Sequence, residues 1–282
     1  MIDLSHILTG TDFSETSKGA VRESLRLASG DPGRRVTLTH VTRAVKDAAA
    51  LRAKLQQWVQ GLPEFVNLHD PSQVTCELEI GKVSTGLSRA AQRLGATIIV
   101  VGPLPRTLME RFLTGGVAEQ LFHSASIPVL ATRGPATNGY RHVLIPVDFG
   151  DGSRHAMKLA SAVVKDPTMS ANNAHLDLLH VAELPGGVHA VGARKELVSS
   201  ITSDFENQLE RFAQEEGVDD LVERSRAVIG VVQDVITKEA SACGADLICM
   251  ASQNAGGLLG STADAVLRHV QIPLLFTSLG EA

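Results

Sequence analysis

The sequence predicts an α/β protein of two tandem doubly wound domains, each a mainly parallel five-stranded sheet with helices on both faces. Three observations predict it. The chain is written twice, each copy alternates short apolar runs with helix-period segments, and the join between copies is made of turn-forming residues.

The repetition is read directly from matched blocks. Ile7-Leu8-Thr9-Gly10-Thr11-Asp12-Phe13-Ser14 matches Val143-Leu144-Ile145-Pro146-Val147-Asp148-Phe149-Gly150, 136 positions later. Leu38-Thr39-His40-Val41 matches Leu178-Leu179-His180-Val181 at an offset of 140. Gly95 to Gly102 matches Gly244 to Ala251 at 149, and Ile127-Pro128-Val129-Leu130 matches Ile272-Pro273-Leu274-Leu275 at 145. The changing offset places insertions and one deletion in loops. Residues 1–133 therefore form a first domain, 134–141 (with Gly134, Pro135, Asn138 and Gly139) a linker, and 142–282 a second domain.

Within copy one, Ile7-Leu8 and Val36-Thr37-Leu38 open the first two strands. Val74, Cys76, Leu78 and Ile80 alternate at period two, the pattern of a third strand with unequal faces. Ile98 to Val101 is a continuous β-branched run, which suits a parallel strand buried on both sides. Val129-Leu130 supplies the fifth strand. Between them, Ser14 and Ser17 are candidate caps of a helix that carries Ala20, Val21, Leu25 and Ala28 inward. Leu87, Ala90, Ala91 and Leu94 lie on one helical face, and Gly95 follows where a helix end favours glycine. Val232, Val235, Ile236 and Cys243 before Gly244 repeat that unit. In such sheets ligands sit over the carboxyl ends of the strands, near the switch in strand order.

Composition narrows the function. Of 282 residues, 44% are hydrophobic and 20% charged, enough for two full cores and too apolar for disorder. Lys+Arg 26 against Asp+Glu 31 gives a net charge of -5, without the basic footprint of a nucleic-acid binder. No apolar run reaches membrane-helix length, and the first residues carry no signal-peptide pattern. Three cysteines without a CxxC point to a reducing compartment, the cytoplasm.

The strand-end residues carry a resemblance. Asp-Phe after strand one (Asp12, Asp148), Leu-x-His-Val on strand two, Ala-Asp-Leu-Ile before a glycine loop, Gly260 to His269 and the closing Ile-Pro-Val/Leu-Leu strand are ordered alike in both copies. Together they resemble the universal stress proteins, specifically tandem two-domain members, over nearly the whole chain. The resemblance implies a stress-resistance module that responds to a nucleotide. ATP with Mg2+, or another adenine nucleotide, is its implied ligand, and no catalysis is implied.

Nucleotide-binding members carry Gly-x2-Gly-x9-Gly-(Ser/Thr) after the fourth strand. Glycines let the backbone approach phosphate, and the following helix offers its positive end. Copy one keeps the spacing as Gly102-x2-Pro105-x9-Gly115-Gly116, but Pro105 removes an N–H and Gly116 removes the hydroxyl. Copy two has Ala251-x2-Asn254 before Gly260-Ser261, and its loop is four residues shorter. Copy one is the better site. Arg106 and Arg111 either supply charge there or are solvated loop residues.

The resemblance gives Thr11, Asp12, Val41, Gly102, Gly115, Gly116 and Val117 as nucleotide residues of domain 1. Val147, Asp148, Val181, Ala251, Gly260, Ser261 and Thr262 are their counterparts in domain 2. Asp12 and Asp148 either meet the nucleotide or cap the following helix, and one carboxylate can do both. Val41 and Val181 offer backbone to an adenine, while their side chains are expected to pack.

No other chemistry is legible. His40 and His180 read as hydrogen-bonded strand-end histidines, and His142, His155 and His189 read as unclustered, so no metal site is expected. Gly256 to Thr262 fails as a Walker A loop, with Ala255 and Ser261 where glycine and lysine belong. There is no Gly-x-Ser-x-Gly elbow and no HExxH.

Val129-Leu130-Ala131 and Leu274-Leu275-Phe276 are edge strands that need covering. The resemblance implies pairing of the two domains through these last strands within one chain. A homodimer of the whole chain is compatible with the sequence but not shown by it. The alternative function is a scaffold or signalling stress protein without nucleotide, acting through protein partners.

Overall fold

The computed structural model describes residues 2–44, 46–102, 117–132, 134–183, 195–252, 266, 270 and 272–278. The first copy contributes β1 (His6–Gly10), α1 (Glu15–Ser29), β2 (Arg35–Thr42), α2 (Ala48–Gln60), β3 (Val74–Ile80), α3 (Val83–Leu94), β4 (Ile98–Val101), α4 (Val117–Ser124) and β5 (Val129–Ala131). The second contributes β6 (Tyr140–Pro146), α5 (Asp151–Lys165), β7 (Ser170–Ala182), α6 (Lys195–Glu215), β8 (Val222–Ile229), α7 (Val232–Ala242) and β9 (Leu247–Ser252). The closing strand is β10 (Leu274–Ser278). The fold is mixed α/β, as the alternation of apolar runs and helical faces requires.

Two compact units result, Asp3–Thr137 with Pro273–Ala282, and Met1–Ile2 with Asn138–Ile272. In space, then, the last strand groups with the first unit, although in sequence it ends the second copy. In the first unit the strand order is β3-β2-β1-β4-β5-β10. The pairs β1–β2, β1–β4, β2–β3 and β4–β5 are parallel. Strand β10 runs antiparallel to β5, with Leu275 opposite Leu130. In the second unit the order is β9-β6-β7-β8, and every pair is parallel.

Local sequence explains the elements. All four residues of β4 are buried, as a central parallel strand demands. The Ser14 hydroxyl accepts the Ser17 N–H at 3.1 Å and caps α1, whose Ala20, Val21, Leu25 and Ala28 are completely buried. Gly95 ends α3 at φ 65°, left-handed backbone that glycine adopts without strain. Right-handed crossovers set α1 and α2 on one face of the first sheet and α3 and α4 on the other. A Cβ on Gly10 would lie 2.8 Å from Leu87 of α3, and one on Gly102 3.1 Å from the Thr16 carbonyl of α1, so the helices press closely on the strand ends.

Strand β3 departs from its expected alternation. Ile80 is 60% exposed, while Glu79 is only 8% exposed. The reason is electrostatic: Arg89 and Arg93 of α3 each reach the Glu79 carboxylate at 2.9 Å, so a charge rather than an aliphatic chain fills that position.

Candidate functional site

In the order β3-β2-β1-β4-β5, the chain turns first to one side of β1 and then to the other. The switch falls between β1 and β4, and the carboxyl ends of those strands carry Thr11-Asp12 and Gly102. In the second unit the equivalent place lies between β6 and β9, with Val147-Asp148 and Ala251.

The turn leaving β1 is held by its own side chains. Thr11 is buried, its N–H donates to the Thr39 carbonyl at 3.0 Å, and its hydroxyl lies 3.1 Å from that of Ser17. The Phe13 N–H donates back to the Thr11 hydroxyl at 3.1 Å. Asp12 is exposed, accepts the Ser14 N–H on its carboxylate at 3.0 Å, and gives its own N–H to the Ser17 hydroxyl at 3.3 Å. Burial pushes the Asp12 carboxyl up, but hydrogen bonds from Ser14 and Ser17 outweigh it and hold it below the usual carboxylate range. Asp148 is exposed too, and accepts the Ser153 hydroxyl at 2.7 Å and the Gly150 N–H at 3.0 Å. Both aspartates therefore shape a helix entry, one of the two roles their positions allow.

The next residue was not foreseen. Phe13 and Phe149 adopt φ values of 66° and 64°, a region aromatic side chains avoid. Each is locked in an aromatic cluster. Phe13 lies against His40 (centroids 5.0 Å apart) and Trp58 (5.6 Å), with the Lys54 ammonium 5.1 Å from its ring. Phe149 lies against His180 (4.8 Å), Phe212 (5.6 Å) and Phe205 (6.3 Å). The signal was present as Asp-Phe after strand one in both copies, but nothing in its spacing reveals the backbone angle. Backbone strain of this kind collects at functional turns.

His40 and His180 bond as their positions suggested. Their Nδ1–H groups donate at 2.8 Å to the carbonyls of Thr11 and Val147. Val41 is half-buried, and its side chain packs where a Cβ on Gly86 would come within 2.9 Å, so the side chain serves packing as anticipated. Val181 is half-buried in β7, and Val117 is half-buried at the start of α4. Gly102 is explained by the Thr16 carbonyl beside it. Asp12 and Gly102 converge on the same turn: the Asp12 N–H donates to the Ser17 hydroxyl, and a Cβ on Gly102 would lie 3.5 Å from the Ser17 Cα. Ala251, at the corresponding end of β9, already carries a methyl group. Pro105, Arg106, Arg111, Gly115, Gly116, Asn254, Gly260, Ser261 and Thr262 lie outside the described residues.

One sequence reading needs correction. His142 is not isolated: parallel register sets it directly opposite His175, with ring centroids 4.4 Å apart. Two strands joined through α5 bring them together, which spacing along the chain does not disclose.

The architecture defines a class: two doubly wound α/β copies, each with a strand-order switch at the carboxyl ends of its central strands. The family model for the universal stress protein family matches residues 4–133 and again 139–278, and the chain belongs to that family. Universal stress protein G of Shigella flexneri is 27% identical over 145 residues, covering 48% of this chain and 97% of that protein. A universal stress protein from Archaeoglobus fulgidus superposes with a TM-score of 0.66 at 19% identity, covering 98% of this chain and 97% of that one. A putative universal stress protein from Pseudomonas aeruginosa gives 0.67 at 16% identity, covering 98% and 93%. These structures share the fold across the full length.

Proposed function

We propose that the chain is a nucleotide-responsive stress-resistance module that binds ATP, with Mg2+, or another adenine nucleotide at one degenerate site in the first copy. The observation that carries this reading is the convergence of exposed Asp12 and Gly102 on the N-terminal turn of α1 at the β1–β4 switch. Asp12 stays ionised at neutral pH, so it serves ribose hydroxyls or Mg2+ rather than phosphate oxygens. The adenine is read by backbone at Val41, and the phosphates by the loop from Gly102 to Val117. The second copy is the weaker candidate because Ala251 replaces that glycine and its loop is shorter.

The reading is of a binding module rather than an enzyme: the Ser14 N–H holds the Asp12 carboxylate and the Ser153 hydroxyl holds that of Asp148, so both shape the turns that would receive a ligand. The antiparallel β5–β10 ladder supports pairing of the closing strands within one chain, and dimerisation of the whole chain is a separate proposal. Among the described residues no helix is long and apolar enough to cross a membrane, and all three cysteines are free, which supports a cytoplasmic setting.

Pro105, Gly116 and the shortened second loop favour a second reading, a scaffold that has lost nucleotide and acts through partners. Equilibrium dialysis of the full chain with radiolabelled ATP and Mg2+ separates the two. Saturable binding that Gly115→Val abolishes is expected. No binding at millimolar ATP leaves the scaffold reading.

A further inference from the structure

We propose that the second copy carries a site for a divalent transition-metal ion of the zinc type, built from His142, His175 and Asp177. One ligand atom from each of these residues lies within 4.8 Å of the others, at the border of β6 and β7. His142 lies near the start of β6, six positions before Asp148. At about 3.3 Å per residue this puts the cluster about 20 Å from the nucleotide edge.

Two ring nitrogens of these histidines are buried without a hydrogen-bond partner. His175 is 8% exposed, and its Nε2 has no hydrogen-bond partner; His142 Nδ1 is buried without one as well. The tautomer of His175 is set by its other nitrogen. Nδ1 lies 2.9 Å from the Glu223 carboxylate and 3.3 Å from the Asn173 carbonyl, both acceptors, so Nδ1 carries the hydrogen and Nε2 presents a lone pair. A carboxylate behind a ligating histidine is the arrangement that orients imidazoles toward metals and raises their basicity. An orphaned buried lone pair, by contrast, is destabilising.

The backbone builds this arrangement deliberately. Successive strand residues face opposite sides, yet Glu223 reaches His175 while Arg224 reaches Asp177 at 3.0 Å. A register irregularity between β7 and β8 at Leu176/Asp177 adds one residue to β8 and turns both side chains to one face. Asp177, 4% exposed, keeps lone pairs beyond those that Arg224 uses. Two imidazoles and a carboxylate form a borderline donor set suited to zinc, with one position left for water. Ligand atoms on a tetrahedral zinc stand about 3.3 Å apart, so small side-chain rotations close the site.

The first copy is an internal control. There the matching positions hold His6, Arg35 and Thr37. His6 Nε2 bonds the Thr37 hydroxyl at 2.8 Å, and that hydroxyl lies 3.0 Å from Thr75. A histidine, a cation and a hydroxyl cannot hold a metal, so the donor set is specific to the second copy.

The test is metal binding by the tag-free, chelator-treated full chain, dialysed against Zn2+ and assayed by mass spectrometry. One zinc retained per chain is expected, weakened at least tenfold in His142→Gln and His175→Gln and measurably in Glu223→Gln. The Co2+-loaded wild type needs no variant to fold, and is expected to show the intense visible bands of a low-coordinate nitrogen–oxygen site. No retained zinc, retention unaffected by both histidine variants, or a weak six-coordinate cobalt spectrum would each overturn the proposal.

Discussion

His180 donates its Nδ1 proton to the carbonyl of Val147 across 2.8 Å, tying the end of β7 to the end of β6. His40 makes the same bond to Thr11 in the other copy, so each candidate site is clamped by one histidine. Both rings then lie against a phenylalanine at positive φ, and the clamp supports that strained turn.

His180→Ala is therefore expected to lower stability by about 1–3 kcal/mol, because it leaves a buried carbonyl without a donor. Urea unfolding of the full chain measures this. A midpoint and slope unchanged from wild type would show that the clamp contributes nothing.

Gly139 has φ 73°, and a Cβ there would stand 2.5 Å from the Ser170 backbone carbon. Backbone cannot rotate away as a side-chain tip can. Gly139→Ala is expected to cost ~3 kcal/mol or more, an effect reserved for severe clashes. Thermal unfolding should show a clearly lower midpoint, and near-identical melting would refute the tight β6 entry.

Glu79 gives a pH signature. Burial pushes its carboxyl up, but hydrogen bonds and charge from Arg93 and Arg89 outweigh this and hold it below the ordinary glutamate value. With a depressed folded pKa, its contribution is present above about pH 4.3 and is lost as pH falls through the folded value. Unfolding free energy measured from neutral to acid pH should fall less steeply for Glu79→Gln than for wild type. Parallel curves would contradict the pairing.

Much of the fold was legible because it rests on local chemistry. The Ser14 cap, the left-handed Gly95 and the fully buried β4 each follow from residues adjacent in sequence. What escaped was set by partners far along the chain. Glu79 is buried because α3 supplies two arginines, and His142 meets His175 only through parallel register. At the candidate site, Asp12 and Asp148 were legible as positions, but their engagement with Ser14, Gly150 and Ser153 depends on turn geometry that no spacing encodes.

The cysteines should be slow to react. Burial pushes the Cys76 thiol up to about 11 and raises Cys243, and Cys249 is completely buried. Little thiolate is then present at neutral pH. A thiol reagent should label the folded chain slowly and all three cysteines rapidly in urea. Rapid labelling of the native chain would contradict this burial.

Nucleotide recognition at the β1–β4 switch is tested most directly by titrating ATP with Mg2+ into isotope-labelled full chain and following backbone amide resonances. The account predicts saturable shifts concentrated at Thr11, Asp12, Val41 and Gly102. Shifts confined to other surfaces, or none at millimolar ATP, would contradict it.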